Sequence, residues 1–298
     1  MIRIAHITDV HLPLAGATVR ELASKRIFGW LSWRLRRFRR HRAVSLNTVI
    51  ADMQAHAPDH IVLTGDLVNI STRREFAAAR TWLETLAPPE RLTFIPGNHD
   101  LYVANALQAG LVTLAPWMTA KNEGAQTIPR FPLVRYVSNV AIISLNSTYP
   151  APWGEASGRL GLEQIERLAR LLEETRSKGL FRLVILHHPP LFSLATSPRK
   201  ALKDADALEQ VLREKGAEAV LYGHNHLWKH DVLESRTGPV HLLAAPSASY
   251  RPGGKKPAAG WQMLGIARRQ GAWRLHLLRR GLDRQGEPMT LKDEWLAF

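Results

Sequence analysis

Residues able to do chemistry gather in five short clusters: Thr8-Asp9-Val10-His11, Gly65-Asp66-Leu67-Val68-Asn69, Pro96-Gly97-Asn98-His99-Asp100, His187-His188-Pro189-Pro190 and Gly223-His224-Asn225-His226. Asp9 and His11 stand two apart, as do His224 and His226, and in an extended segment that spacing puts both side chains on one side. Gly65, Gly97 and Gly223 each precede a polar residue, where a turn needs conformational freedom and a ligand needs the backbone close. Asp, His and Asn offer oxygen and imidazole nitrogen without thiolate, which suits Mn, Fe or Zn. Seven such groups exceed the needs of one metal and suffice for two. Metals ~3.5–4 Å apart require a shared carboxylate against their repulsion; they clamp a phosphoryl oxygen and make a bridging water a hydroxide nucleophile near neutral pH. A leaving alkoxide then needs a proton, and a histidine beside the metals is the natural donor.

The clusters follow apolar runs. Ile2–Ile7, His60–Thr64, Leu92–Ile95, Val140–Leu145, Leu183–Leu186 and Ala219–Tyr222 are short and rich in Ile, Val and Leu, as strands buried on both faces are. Helical patterns at Arg42–His56, Arg74–Leu86, Leu162–Lys178 and Asp204–Lys215 lie between them, and the alternation predicts α/β layering. Ligand sites in such proteins gather at the carboxyl ends of strands, so five clusters at five strand ends can converge. From about Trp228 the pattern changes, and Val232–Glu234, Val240–Ala244, Trp261–Ala267 and Trp273–Leu278 read as consecutive antiparallel strands. Arg251–Pro257 and Ser193–Lys203 read as surface loops. No linker demands a second domain. The expectation is one domain over 1–298, with an insertion at about 18–43 and an antiparallel region at about 228–280.

The ordered set Asp-x-His, Gly-Asp, Gly-Asn-His-Asp, His-His-Pro-Pro and Gly-His-Asn-His resembles the calcineurin-like metallophosphoesterase family, from Asp9 to His226. The resemblance implies a four-layer α/β/β/α sandwich of two mixed sheets with flanking helices and a binuclear centre of two divalent ions, Mn foremost, Fe or Zn otherwise. It implies that Asp9 and His11 ligate the first metal, that Asp66 bridges, and that Asn98, His187 and His224 hold the second, His226 returning to the first. It further implies that His99 contacts the substrate phosphate and protonates the leaving group, with Asp100 orienting it. The choice of His187 over His188 rests on the family pattern alone. His6, His41, His56, His60, His230, His241 and His276 read as core or surface residues. Gly158-Arg159-Leu160-Gly161 with Gln164 and Leu168 resembles the cyclic-nucleotide phosphodiesterase branch.

Composition narrows the class. The 298 residues are 45% hydrophobic and 22% charged with no cysteine, enough for a buried core and incompatible with disulfides, a disulfide-linked partner, zinc fingers or a thiol nucleophile. The uncharged run Leu101–Ala120 is broken by Asn105, Gln108 and Pro116, against a membrane span. No basic, apolar leader precedes Ile2–Ile7, so a soluble, cytoplasmic protein is expected. Nine Lys/Arg oppose only Glu21 between Arg20 and Arg42, a balance of +8 within a total of +14. Ile27, Leu31, Leu35 and Phe38 line one helical face there, flanked by Trp30 and Trp33. Such a helix either packs its apolar face on the domain or meets an anionic membrane surface on the inner face of the membrane; nucleic acid is the third reading. The segment resembles the insertions of lipid A pathway UDP-2,3-diacylglucosamine pyrophosphatases, one group of which has Arg where His99 stands. The expected activity is therefore hydrolysis of a phosphodiester or phosphoanhydride by a metal-bridging hydroxide, with cyclic-nucleotide or nucleic-acid phosphodiesterase as alternatives. An interaction scaffold is the alternative from another class, disfavoured by the full ligand set.

Overall fold

Uncharged runs of Ile, Val and Leu bury both their faces only inside a layered sheet. In a computed structural model of the chain, which describes residues 1–119 and 128–298, they become the central strands of two six-stranded sheets. The first part of the chain runs β1 (Ile2–Ile7), α1 (Val19–Leu22), α2 (Arg26–Leu35), α3 (Ala43–Ala55), β2 (His60–Leu63), α4 (Arg73–Leu86) and β3 (Leu92–Phe94). The short α5 (Ala106–Ala109) and α6 (Ala115–Thr119) follow, then β4 (Leu133–Val137), β5 (Val140–Ser144), α7 (Leu162–Ser177), β6 (Phe181–Ile185), α8 (Ala205–Lys215) and β7 (Ala219–Tyr222). Last come β8 (Lys229–Ser235), β9 (Gly238–Ala244), β10 (Gly260–Arg269), β11 (Ala272–Leu282) and β12 (Pro288–Leu296).

The sheet orders are β12-β11-β10-β1-β2-β3 and β4-β5-β6-β7-β9-β8. Within them β1-β2-β3 and β5-β6-β7-β9 are parallel, and the outer pairs are antiparallel. Alternation along a strand sends neighbours to opposite layers. Ile142, Leu183 and Leu221 join Val62, Phe94 and Leu264 in a cluster shared by the sheets. Their chain neighbours Ile143, Val184 and Val220 pack outward on Leu168 and Leu172 of α7 and Leu208 and Leu212 of α8. With α3 against the first sheet, anchored by Asp52 to Trp261 and Arg280, the four layers are complete. Each fully buried Leu or Ile contributes about 1.5–3 kcal/mol, so the interleaved layers carry most of the stability.

The strand expectations change in three places. The C-terminal strands are not one consecutive run: the β8–β9 hairpin extends the second sheet, while β10, β11 and β12 extend the first beside β1. Strand β12 reaches Leu296, past the expected end at about 280, and its charged Lys292, Asp293 and Glu294 hid it from an apolar-run criterion. β4, likewise largely unburied, escaped for the same reason.

The basic segment is not one helix and does not bury its apolar stripe. It breaks into α1, α2 and a single 3₁₀ turn at Arg37–Arg39, and α2 buries Arg26, Gly29 and Trp33 instead. Leu31, Leu35 and Phe38 are 41%, 67% and 45% exposed. Gly29 explains the inversion, since a Cβ there would collide with Ile70 and the Tyr102 ring, so only glycine lets the backbone come this close. Arg26 is buried and donates to Ile70 O, Ser71 O and Asn105 Oδ1. The run Leu101–Ala120 contains only short helices among its described residues, Ala120 lying outside them, and no described helix is long and apolar enough to cross a membrane.

Candidate metal centre

Five strand ends on two sheets face each other across the top of the layers. The loops after β1 and β2 are stitched by Asp9 N–H to Gly65 O at 3.0 Å and His11 N–H to Asp66 O at 2.9 Å. The loop after β7 joins the loop after β6 through Gly223 N–H to His187 O at 3.0 Å. These bonds hold Asp9, His11, Asp66, His224 and His226 in the left-handed region, with φ between 45° and 68°. The spacing expectation is thereby corrected: the paired residues do not share a side through extended alternation but are turned inward by left-handed backbone. Such conformations cost about 1–3 kcal/mol each and persist only where surrounding bonds over-determine them. Gly65 and Gly97 press together, a Cβ on either meeting the other loop's backbone, and a Cβ on Gly223 would strike Thr8 and Asp9.

All seven expected ligands lie in one place, and all are buried but Asn98 and His226, which are partly exposed. Asp66 belongs to two ligand-competent groups, one with Asp9 and His11 and one with His187 and His224. Its Oδ2 is 3.8 Å from His11 Nε2 and its Oδ1 is 3.6 Å from His187 Nε2. His187 Nε2 lies 3.1 Å from Asn98 Oδ1 and 3.2 Å from His224 Nδ1. Among the described residues, buried Asp9 Oδ1 has no hydrogen-bond donor although His226 Nε2 is 3.0 Å away, and buried His224 Nε2 also lacks a partner. Orphaned lone pairs converging in a buried site are what a cation satisfies. Burial pushes Asp9 up, but His226, His187 and His224 outweigh it and hold the carboxyl well below the usual range. Burial and the negative Asp9 drive Asp66 well above that range, the like-charge conflict that divalent ions relieve. The residues fit two divalent ions.

His187 and His188 face different partners. His188 turns away, its Nδ1 at 2.8 Å from Ser147 Oγ and its Nε2 at 3.2 Å from Ala156 O. Asp100 does not touch the His99 ring, which corrects its expected role. Its carboxylate accepts from Leu67 N, Val68 N and Gly97 N at 2.9, 3.0 and 2.7 Å, clamping the loop of Asp66 to the loop of Asn98. His99 is oriented by Asn69 O, 2.6 Å from its Nδ1, and by stacking on Tyr102. Its backbone N–H donates to Asp66 Oδ1 at 2.8 Å.

Two site residues escaped the sequence reading. His41, taken as core or surface, forms a third ligand-competent group with His11 and His226, its Nδ1 2.9 Å from Ser249 Oγ. Arg37 reaches in from the basic segment, its Nη1 3.1 Å from His99 Nε2 and its Nη2 3.2 Å from His11 Nε2. Burial and that guanidinium hold His99 well below the imidazole range. No local pattern singled out Arg37 among its neighbouring arginines. The cavity over the site, about 530 Å³, is walled by this segment, by Lys200 and by Lys255 and Lys256, so both expected surface loops are site walls. Gln164 bonds the backbone of Asn146 and Leu160, so that motif braces the loop after β5.

A family model described as calcineurin-like phosphoesterase matches residues 2–227. The chain is 27% identical over 228 residues to a Synechococcus protein named a probable cyclic nucleotide phosphodiesterase, covering 76% of this chain and 78% of that one. It is 29% identical to a 3′,5′-cyclic adenosine monophosphate phosphodiesterase of Vibrio vulnificus, covering 63% and 61%. Among solved structures, a dimetal phosphatase from Danio rerio superposes with a TM-score of 0.64 at 13% identity, covering 98% and 99%. A purple acid phosphatase from yellow lupin gives 0.59 at 12%, covering 99% of this chain and 53% of the other. These two likenesses concern the fold.

Proposed function

The chain belongs to the calcineurin-like phosphoesterase family and is a metal-dependent phosphoester hydrolase, and on that premise we propose how its own residues do the work. The observation that carries the reading is Asp66 facing both ligand groups. Asp9, His11 and His226 would hold one ion and Asn98, His187 and His224 the other, with Asp66 within reach of both groups. Manganese is the proposed metal, from the hard-to-intermediate oxygen and imidazole donors. Two divalent ions so held supply Lewis-acid polarisation of a phosphoryl oxygen and a water of near-neutral pKa. Asp100 keeps the Asp66 and Asn98 loops in register. Arg37 and His99 contact the incoming phosphoryl group. Its negative charge offsets the guanidinium that holds His99 neutral, so the imidazole can carry a proton to the leaving oxygen.

The proposed substrate is a phosphodiester or phosphoanhydride presented at an anionic membrane surface, UDP-2,3-diacylglucosamine being a molecule of that kind. Support comes from exposed Phe28, Leu31, Leu35 and Phe38 in the same segment as the cavity-lining Arg36, Arg37 and Arg40, with Trp153, 67% exposed, packed edge-on against Phe28. The protein would sit peripherally on the cytoplasmic face. The relatives' names favour the alternative, a cyclic nucleotide. The scaffold alternative would need no ligand set. Hydrolysis of bis(p-nitrophenyl) phosphate by Mn-loaded protein, lost on chelation and in Asn98→Ala, is the expected result. Full turnover by chelated, metal-free protein would refute the reading.

A further inference from the structure

Six cations line the cavity: Arg36, Arg37, Arg40, Lys200, Lys255 and Lys256, with Asp66 the one carboxylate among the lining residues. Among the described residues, none of the six makes an ion pair. They come from three separate segments, and the wall is built rather than accidental. Arg42 N–H donates to Ser249 O at 2.8 Å and Arg251 N–H to Arg40 O at 2.7 Å, with a β-bridge from His41 to Tyr250 between them. The basic segment is thus tied to the loop that delivers Lys256. Lys256 Nζ in turn donates to Asn225 O at 2.7 Å, between two of the ligand histidines. Arg37 stands over His11 and His99, so cations from different segments border the ligand set.

Gathering like charges without counter-charges is unfavourable, and the structure keeps them together at the mouth of a reaction site. Burial, with Lys200, Arg37 and Arg40 nearby, pulls the Lys256 ammonium down to about 8. A cyclic nucleotide carries one negative phosphoryl group, and the metal centre with Arg37 accounts for it, so the other five cations are left without an anion. The cationic wall would then face nothing. We propose that this wall is a second phosphoryl subsite and that the substrate class is a diphosphate diester, cleaved at its phosphoanhydride. This deepens the phosphoester-hydrolase reading and rests on it. Water forms a new P–O bond at the scissile phosphorus, the bridging P–O bond breaks, and two phosphomonoesters leave with one proton released to solvent. Arg40, Lys200 and Lys256 hold the non-scissile phosphoryl through charge-assisted hydrogen bonds. A pocket of about 530 Å³ suits a small molecule better than a strand of nucleic acid, which needs a groove that follows its backbone.

The test is titration calorimetry on the full-length, chelator-treated chain, so that the readout does not depend on turnover. The probes are adenosine 5′-(α,β-methylene)diphosphate and adenosine 5′-monophosphate at fixed ionic strength. The diphosphate should bind about tenfold tighter, and Lys256→Gln and Arg40→Gln should each reduce that preference to about threefold or less. Equal affinity for the two probes, or equal loss for both in the variants, overturns the subsite. Affinity for single-stranded oligonucleotides that climbs with length overturns it in favour of a polyanion surface. A parallel assay of Mn-loaded protein separates the two claims. Turnover of bis(p-nitrophenyl) phosphate without diphosphate preference sinks the subsite and leaves the hydrolase. Diphosphate preference with no turnover of that ester or of a dinucleoside diphosphate sinks the hydrolytic role of the site.

Discussion

Asp66→Asn separates the two halves of the candidate centre. Asp66 Oδ1 accepts the His99 backbone N–H at 2.8 Å and faces His187, while Oδ2 faces His11. An asparagine must put its carbonyl oxygen in the Oδ1 position, because an amide NH₂ there would oppose the His99 donor. Its NH₂ then points at the Asp9–His11 group, where it cannot ligate. That group loses a carboxylate outright, whereas the Asn98–His187–His224 group keeps a neutral oxygen donor. Losing an outer partner of a metal ligand costs about 10–100-fold in affinity, so losing a ligand itself should cost at least ~100-fold. That is about 2.8 kcal/mol. The group with a neutral oxygen should weaken about tenfold. Equilibrium dialysis with manganese and elemental analysis should give two equivalents for the parent protein and one for the variant. Two equivalents of unchanged affinity in Asp66→Asn would refute the shared-carboxylate argument. Equal weakening of both would refute the assignment of its oxygens.

His99→Ala should keep both metal equivalents yet lose more rate on an alkyl than on an aryl phosphodiester; equal losses would reduce His99 to a phosphoryl contact. Sedimentation with vesicles containing anionic phospholipid should capture the protein at low salt and release it at high salt. Leu35→Glu with Phe38→Glu should reduce that partitioning at least about tenfold, given about 1.5–3 kcal/mol for each buried apolar side chain, and unchanged capture would return the stripe to solvent. Arg182 is 3% exposed and bonds both Glu218 oxygens as well as Lys215 O and Gly216 O. Arg182→Ala should therefore cost about 3–5 kcal/mol in denaturant unfolding by stranding Glu218, and a loss under 1 kcal/mol would contradict that pairing.

Much of this protein is visible before folding is considered. Ile2–Ile7, His60–Leu63 and Ala219–Tyr222 are strands because runs dominated by apolar residues have nowhere else to go, and the polar residues that close them stand at strand ends. The ligand candidates Asp9, Asp66, Asn98 and His224 were therefore legible from runs and breaks alone. β4 and β12 were not: no residue of β4 and only Leu296 of β12 is buried, and each pairs as a hairpin with its neighbour in sequence, β5 or β11, rather than lying inside a sheet. The resemblance sets Asp100 against His99, but its carboxylate turns to the Leu67, Val68 and Gly97 N–H groups, a direction that only the folded loops decide.

Residue type and local order thus determined the layers, the strand ends and the chemistry gathered there. Tertiary structure alone decided how those groups face each other. Hydrogen bonds between loops tens of residues apart impose the left-handed backbone at Asp9, Asp66 and His224. A glycine contact at Ile70 turns the apolar stripe of α2 outward and carries Arg37 inward. Periodicity describes a helix's two faces equally well whichever one meets the protein, and only close packing breaks that symmetry.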